Sequence, residues 1–148
     1  MTKTDLLEHI LMTLNAKIQL LQNDLEELRV ELSDNTKSTA GDKHETSRAM
    51  AQLEMEKLGK QHLESQKMID LANRLLNASP SDTAQLGSLV YAGNQHYLLG
   101  LPLGKVDFNG KAVFCISLQS PVGQLLLKTK VKDVVSLPMG KVTIESIL

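Results

Sequence analysis

The N-terminal half of the chain carries apolar side chains at helical spacing. They recur in alternating steps of four and three at Leu7, Leu11, Leu14, Ile18, Leu21, Leu25, Leu28 and Leu32. Such a heptad keeps one apolar seam facing a partner helix, and the residues between are mostly polar. Because neither Gly nor Pro interrupts the run, it predicts one helix of about 30 residues, roughly 45 Å long.

A polar connection from Asn35 to Gly41 precedes a second helical pattern, which runs from about Asp42 to about Asn77. Its heptad frame is poorer and collects Ala51, Met55, Leu58, His62, Ser65, Ile69, Ala72 and Leu76. A short connection makes two helices antiparallel neighbours. We therefore predict an antiparallel two-helix coiled-coil hairpin over residues 1–78, with an acidic tip near residues 33–46. An intermolecular coiled coil is the structural alternative.

The C-terminal half changes from helical to strand-like periodicity after the segment Ala78-Ser79-Pro80-Ser81-Asp82. Its Pro disfavours helix in the residue before it. The predicted strands are 88–91, 95–101, 111–118, 133–137 and 141–147, and Asn109-Gly110 is a strong hairpin-turn signal. We assign residues 79–86 to a linker and residues 87–148 to a small antiparallel sheet domain.

A short helix is predicted between the last strands. Ser120 is a favourable N-cap, and Pro121 suits the first helical position because its missing N–H needs no partner there. The leucines that follow would lie across one face of the sheet. The predicted fold class is therefore α+β.

Composition narrows the functional classes. The formal net charge is −1 and aromatic residues make up 3% of the chain, so neither an overall basic field nor a platform of stacked bases is expected. No apolar run reaches the ~20 residues that span a bilayer, and the N-terminus lacks a signal-peptide layout. These features predict a soluble protein of a reducing compartment, without a membrane role.

For the single cysteine and for two of the histidines, we predict no catalytic or metal-binding role. Cys115 lies in the apolar run VFCISL, where no base could activate it, so we predict a buried, inert thiol. His62 lies on the helical seam and His44 near the tip, and neither has metal partners at suitable spacing.

Two carboxylates stand out at the start of the second helix. Asp42 and Glu45 are three residues apart, which is the arrangement of a capping box, in which the Asp accepts a backbone hydrogen bond and the Glu reaches back. The same spacing places two oxygen ligands on one face of a helix, as a Mg²⁺ site would need. The residues alone leave both interpretations open and favour capping.

With both halves described, the chain resembles the Gre transcript-cleavage factors of bacterial RNA polymerase. The segment Gly41-Asp42-Lys43-His44-Glu45 matches the family's Gly-Asp-x-x-Glu tip motif. Residues 120–128 (SPVGQLLLK) and 131–135 (VKDVV) are similar to its Ser-Pro-x-x-x-x-Leu-x-Gly-Lys and Gly-Asp-x-Val segments. The resemblance implies an FKBP-like C-terminal domain.

The resemblance also implies a function. Asp42 and Glu45 would enter the polymerase through its secondary channel and help to bind the second catalytic Mg²⁺, so that backtracked RNA is cleaved. The polymerase would be the enzyme, and the chain would have no cofactor of its own. Lys43 and Arg48 would contact the nascent RNA 3′ end. The implied protein is a cytoplasmic monomer.

A second contact is implied in the C-terminal domain, where Ser120, Pro121, Val122 and Gly123 would contact the polymerase rim. The alternative for this segment is structural, since Pro121 can serve simply to begin a helix.

Three positions depart from the family pattern. Arg48 replaces an acidic residue beyond the tip, and Lys128 and Lys132 stand where glycine is usual. The altered tip leaves open a channel-binding factor that inhibits or modulates the polymerase without cleavage. Two further functions stay open, namely a coiled-coil adaptor unrelated to polymerase and a peptidyl-prolyl isomerase, which is suggested by the implied fold alone.

Overall fold

A computed structural model describes residues 1–35 and 41–148 of the chain, with the side chains of residues 1–34 and 45–148. The elements in chain order are α1 (Lys3–Asn35), α2 (Gly41–Leu76), β1 (Leu89–Ala92), β2 (Gln95–Leu99), β3 (Gly104–Phe108), β4 (Lys111–Ile116), α3 (Pro121–Leu126), β5 (Val134–Leu137) and β6 (Gly140–Ile147). Two long helices thus precede a mixed sheet with one short helix. The predicted α+β class is confirmed.

The chain divides into two compact units. The helical unit comprises residues 12–70, and the sheet unit comprises residues 1–11 with 71–148. Both boundaries fall within the long helices. The boundaries inferred from sequence, at residues 78 and 86, stay predictions. Across the described residues, neither long helix has an apolar stretch sufficient to cross a membrane.

In the helical unit, burial follows the heptad seams unevenly. Leu14, Ile18 and Leu21 are buried on α1, whereas Leu25, Leu28 and Leu32 are only partly buried. Among the side chains of α2 that are described in this unit, the buried ones are Ala51, Ser65 and Ile69. His62 lies between the helices with its Nε2 atom 3.3 Å from Nε2 of Gln22. Because the second seam offers small and polar side chains, it covers the leucines of α1 incompletely.

The sheet has six strands in the order β3-β4-β2-β1-β6-β5. The prediction of an antiparallel sheet is wrong in one place, since β2 and β4 pair in parallel. The physical reason is β3, which the sequence analysis did not predict. The chain leaves β2, runs along the sheet edge as β3 and returns through the Asn109-Gly110 turn, so β4 enters the sheet in the direction of β2.

β3 was not predicted because its sequence is typical of a loop. Its residues GKVDF begin with Gly and carry two charges, and only Val106 and Phe108 are partly buried. It pairs with β4 alone, so it is an edge strand, for which short length and charged residues are typical.

Two apolar layers are built on the sheet. Along β2 and β4, Tyr97, Leu99, Phe114 and Ile116 pack on one face in a cluster with Leu126 of α3 and Ile144 of β6. The alternating positions include Leu98 and Cys115, both nearly inaccessible. Burial raises the pKa of the Cys115 thiol to about 12. The thiolate is therefore suppressed at neutral pH, and the predicted burial of this thiol is confirmed.

The sheet unit also contains the N-terminal end of α1 and the C-terminal end of α2. Leu6, Leu7 and Ile10 of α1 and Leu75 of α2 are buried there. The His9 ring packs against Phe108 of β3, with ring centroids 5.1 Å apart. The apolar residues of the helix ends therefore belong to the same compact unit as the sheet.

Candidate functional site

The tip carboxylates belong to the first turn of α2, which begins at Gly41. Glu45 is exposed. The side chains of Asp42, Lys43 and His44 lie outside the described residues, as does the segment 36–40. The helical backbone at Asp42 and Glu45 gives them the i, i+3 relation of residues on one helix face.

Arg48 lies one turn after Glu45 on α2 and is partly buried. Close to it, Leu28 and Glu31 of α1 and Thr46, Ser47, Met50, Ala51 and Glu54 of α2 line an open groove of about 680 Å³. Met50 is 66% exposed. The sequence pattern did not reveal this groove, because it arises where the partly buried Leu28 of α1 faces small residues of α2.

In the sheet unit, the Ser120-Pro121 corner has the geometry that its sequence predicts. The Ser120 hydroxyl accepts a hydrogen bond from the Gly123 N–H at 3.0 Å and donates one to the Ser117 carbonyl oxygen at 2.7 Å. Ser120 is thus the N-cap of α3, with Pro121 at its first turn. The predicted helix start is confirmed, while the predicted contact with a polymerase stays a prediction.

Gly123 is fixed by close packing against the same corner. A Cβ atom there would overlap the Ser117 carbonyl oxygen and crowd the Ser120 hydroxyl. Only glycine lets α3 approach the end of β4 so closely. The sequence analysis named Gly123 as a contact residue and did not foresee this packing role.

Val122 borders an apolar cavity of about 210 Å³. The other lining residues are Tyr97, Phe114, Ile116, Leu137, Pro138 and Met139. The rings of Tyr97 and Phe114 lie 5.9 Å apart by their centroids. Met139 is 69% exposed, so an accessible apolar surface adjoins the Ser120-Pro121 corner.

A second cavity of the sheet unit, of about 480 Å³, is polar and lies at the β1–β2 turn. Tyr91 and His96 are directly opposed on the two strands, and their rings stack with centroids 4.5 Å apart. Burial, assisted by the nearby Lys111 ammonium, lowers the pKa of His96. The imidazole is therefore held in its neutral form at neutral pH.

The loop between α3 and β5 has an unusual backbone. Lys128 and Lys132 have φ angles of 67° and 79°, which is the left-handed region that favours glycine. For another residue this conformation costs roughly 1–2 kcal/mol. The sequence analysis marked these two lysines only as positions where the resemblance implies glycine.

The predicted metal ligands are the tip carboxylates Asp42 and Glu45. Among the described side chains, no three His, Cys, Asp or Glu residues come together as a metal site. Carboxylate oxygens are suitable ligands for Mg²⁺, and of the pair Asp42 and Glu45 only the Glu45 side chain is described.

No family model, curated protein or solved structure matches the chain.

Proposed function

We propose that the chain is a Gre-like elongation factor of bacterial RNA polymerase. Its coiled-coil tip enters the secondary channel and stimulates cleavage of backtracked RNA, with the polymerase as the enzyme. The proposed protein acts in the cytoplasm as a monomer, and its C-terminal domain is FKBP-like with the mixed sheet described above.

The start of α2 is the observation that carries the proposal. Asp42 and Glu45 occupy the first turn of a helix of 36 residues, and Glu45 is exposed. Carboxylates in a first turn are favourable beside the helix dipole. The pair can therefore offset the partial positive charge at the start of α2 and remain available to a metal ion brought by a partner.

Oxygen ligands at this spacing fit the proposed chemistry. Asp42 and Glu45 hold a Mg²⁺ ion jointly with the polymerase, and a second Mg²⁺ ion there stabilises the attacking and leaving oxygens of phosphodiester hydrolysis. Lys43 and Arg48 contact phosphate of the RNA 3′ end, where their charges offset those of the backbone.

The C-terminal domain supplies the anchor in this proposal. Pro121 is exposed at the first turn of α3, and Val122 leads into the apolar cavity beside it. A rigid, capped corner next to an apolar recess suits a docking contact, because little conformational entropy is lost on binding.

The test uses backtracked elongation complexes assembled with the cognate polymerase. The wild-type chain is expected to release short 3′ RNA fragments. The variant Asp42→Asn with Glu45→Gln is expected to abolish them, whereas Glu56→Gln, an exposed carboxylate further along α2, serves as the matched control and remains active.

Three outcomes contradict the proposal or redirect it. Fragments produced equally by the double variant would refute the role of the tip pair. Slower elongation without any fragments would select the inhibitory function, in which Arg48 replaces cleavage by obstruction. If the chain does not co-purify with polymerase, a coiled-coil adaptor is favoured.

The apolar cavity favours one second candidate, peptidyl-prolyl isomerisation. A recess of about 210 Å³ that includes Tyr97 and Phe114 has the apolar character that a prolyl ring prefers. A proline-isomerisation assay with a short peptide decides this, and an unchanged uncatalysed rate excludes it.

A further inference from the structure

Residues 127–134, here named the basic loop, join α3 to β5 and include the first residue of β5. This segment concentrates positive charge. Residues 79–148 contain six lysines, and three of them, Lys128, Lys130 and Lys132, fall in this loop. All three are exposed. Because the chain reaches at most ~3.5 Å per residue, Lys128 and Lys132 are no more than about 14 Å apart at their Cα atoms. Three like charges on so short a segment repel one another, most strongly at low salt.

The backbone conformation makes these lysines costly. Among the described residues other than glycine, positive φ angles occur at Asn94, Asn109, Lys128 and Lys132. Asparagine tolerates this region because its short side chain can bond locally, whereas lysine has no such advantage. Glycine would adopt both positions more readily. An observed departure of this kind is a reason to look for a function of the side chain.

No local contact accounts for the three side chains. The ion pairs found in the described part of the chain do not involve Lys128, Lys130 or Lys132. The loop's one carboxylate, Asp133, accepts a hydrogen bond from the Lys130 backbone N–H at 2.8 Å. Asp133 thus stabilises the turn, and the lysine charges remain available to a partner.

The loop backbone is firmly held. The Lys128 N–H donates to the Ala84 carbonyl oxygen at 2.7 Å, and the Lys132 N–H donates to the Ile144 carbonyl oxygen at 2.8 Å. The Thr129 hydroxyl donates to the Leu126 carbonyl oxygen at 2.7 Å. Three lysines presented from a fixed backbone lose less entropy on binding than three on a mobile segment.

Apolar residues are interleaved with the charges. Val131 is 46% exposed and Val134 is 64% exposed. Neither arginine nor an aromatic residue occurs between residues 127 and 134, although nucleic-acid surfaces commonly combine these types with lysine. Charge complementarity together with exposed valines therefore favours a protein segment over a nucleic acid.

We propose that the basic loop is a docking surface for an acidic protein segment that also presents an apolar side chain. The acidic side chains face Lys128, Lys130 and Lys132, and the apolar side chain packs on Val131 and Val134. This surface is formed by residues other than those of the Ser120-Pro121 corner and the tip carboxylates. The inference goes beyond the proposed function and does not depend on RNA cleavage.

The experiment is a titration of the full, isotopically labelled chain followed by NMR. The probe is a synthetic seven-residue peptide of glutamate with two leucines, compared with a short duplex DNA at the same salt concentration. The peptide is expected to shift the amide signals of residues 128–134, more strongly at low salt because exposed charges are screened.

The decisive variant replaces Lys128 and Lys132 by glycine. It removes two charges and relieves two left-handed residues, so folding is retained and the melting temperature rises by about 2 °C or more. Peptide affinity is expected to fall about tenfold, as for the loss of two exposed ion pairs. Lys111→Gln removes one exposed charge at the start of β4 and leaves peptide affinity unchanged.

Four results would overturn the inference. The first is that the peptide does not shift the amide signals of the basic loop, and the second is that the glycine variant binds the peptide as tightly as the wild-type chain. The third is that the glycine variant melts at a lower temperature than the wild-type chain. The fourth is that the duplex binds the loop more tightly than the peptide does. The last result would assign the surface to nucleic acid.

Discussion

The two compact units bury their apolar residues to different degrees. In the sheet unit, Leu98, Leu99 and Leu126 are completely inaccessible. In the helical unit, Leu25 and Leu28 remain partly exposed although they continue the same heptad as Leu14. The difference shows that a regular seam does not guarantee burial. Its depth depends on the size of the residues that the opposite helix supplies.

The largest expected effect compares one leucine from each unit. Leu126→Ala in the sheet unit should lower the free energy of unfolding by about 3 kcal/mol, because it leaves a cavity beneath α3. Leu25→Ala in the helical unit should cost about 1 kcal/mol, because part of that side chain is already in contact with water. Urea denaturation followed by circular dichroism measures both, and equal losses would invalidate the comparison.

A smaller effect contrasts two helical glycines. Gly123→Ala should destabilise the sheet unit by about 2 kcal/mol, because its Cβ meets a backbone carbonyl that cannot move freely. Gly59→Ala in α2 meets no atom within 4 Å and should stabilise the helix by about 0.5–1 kcal/mol. Melting temperatures of the two variants should therefore move in opposite directions. A fall in both would show that the space around Gly59 is filled in solution.

The smallest expected effect is a pH dependence of stability that arises from His96 in the sheet unit. Because the pKa of His96 is lowered on folding, the unfolded chain binds its proton at higher pH than the folded chain. The associated stability is present above the ordinary value of 6.5 and is lost as pH falls from there towards the folded pKa. His96→Phe keeps a ring opposite Tyr91 and should weaken this acid sensitivity. An unchanged dependence of melting temperature between about pH 7 and pH 5 would contradict the assignment.

Periodicity predicted most of the fold because it reports burial directly. The helical seams predicted α1 and α2. Ser120 and Pro121 predicted the start of α3, because helix capping depends on residues within four positions of one another. Strand β3 lacks that signal, since Lys105 and Asp107 are exposed at a sheet edge. The direction of β4 follows from β3, so missing one edge strand produced the incorrect antiparallel sheet.

The candidate sites also differ in whether a local sequence motif marks them. Asp42, Glu45 and the Ser120-Pro121 segment were found because they form short motifs. The basic loop was not found, because the cost at Lys128 and Lys132 lies in their backbone angles, at two residues whose N–H groups bond to Ala84 and Ile144. These partners are distant in sequence, and no local rule predicts them.

The central claim is that the tip carboxylates contribute to Mg²⁺ binding in the polymerase. Its most direct test is the dependence of the RNA cleavage rate on Mg²⁺ concentration in backtracked complexes. With the wild-type chain, the concentration giving half-maximal rate should fall, and Glu45→Gln should raise it towards the value without factor while polymerase affinity stays the same. An identical Mg²⁺ dependence for the wild-type chain, Glu45→Gln and polymerase alone would contradict the account.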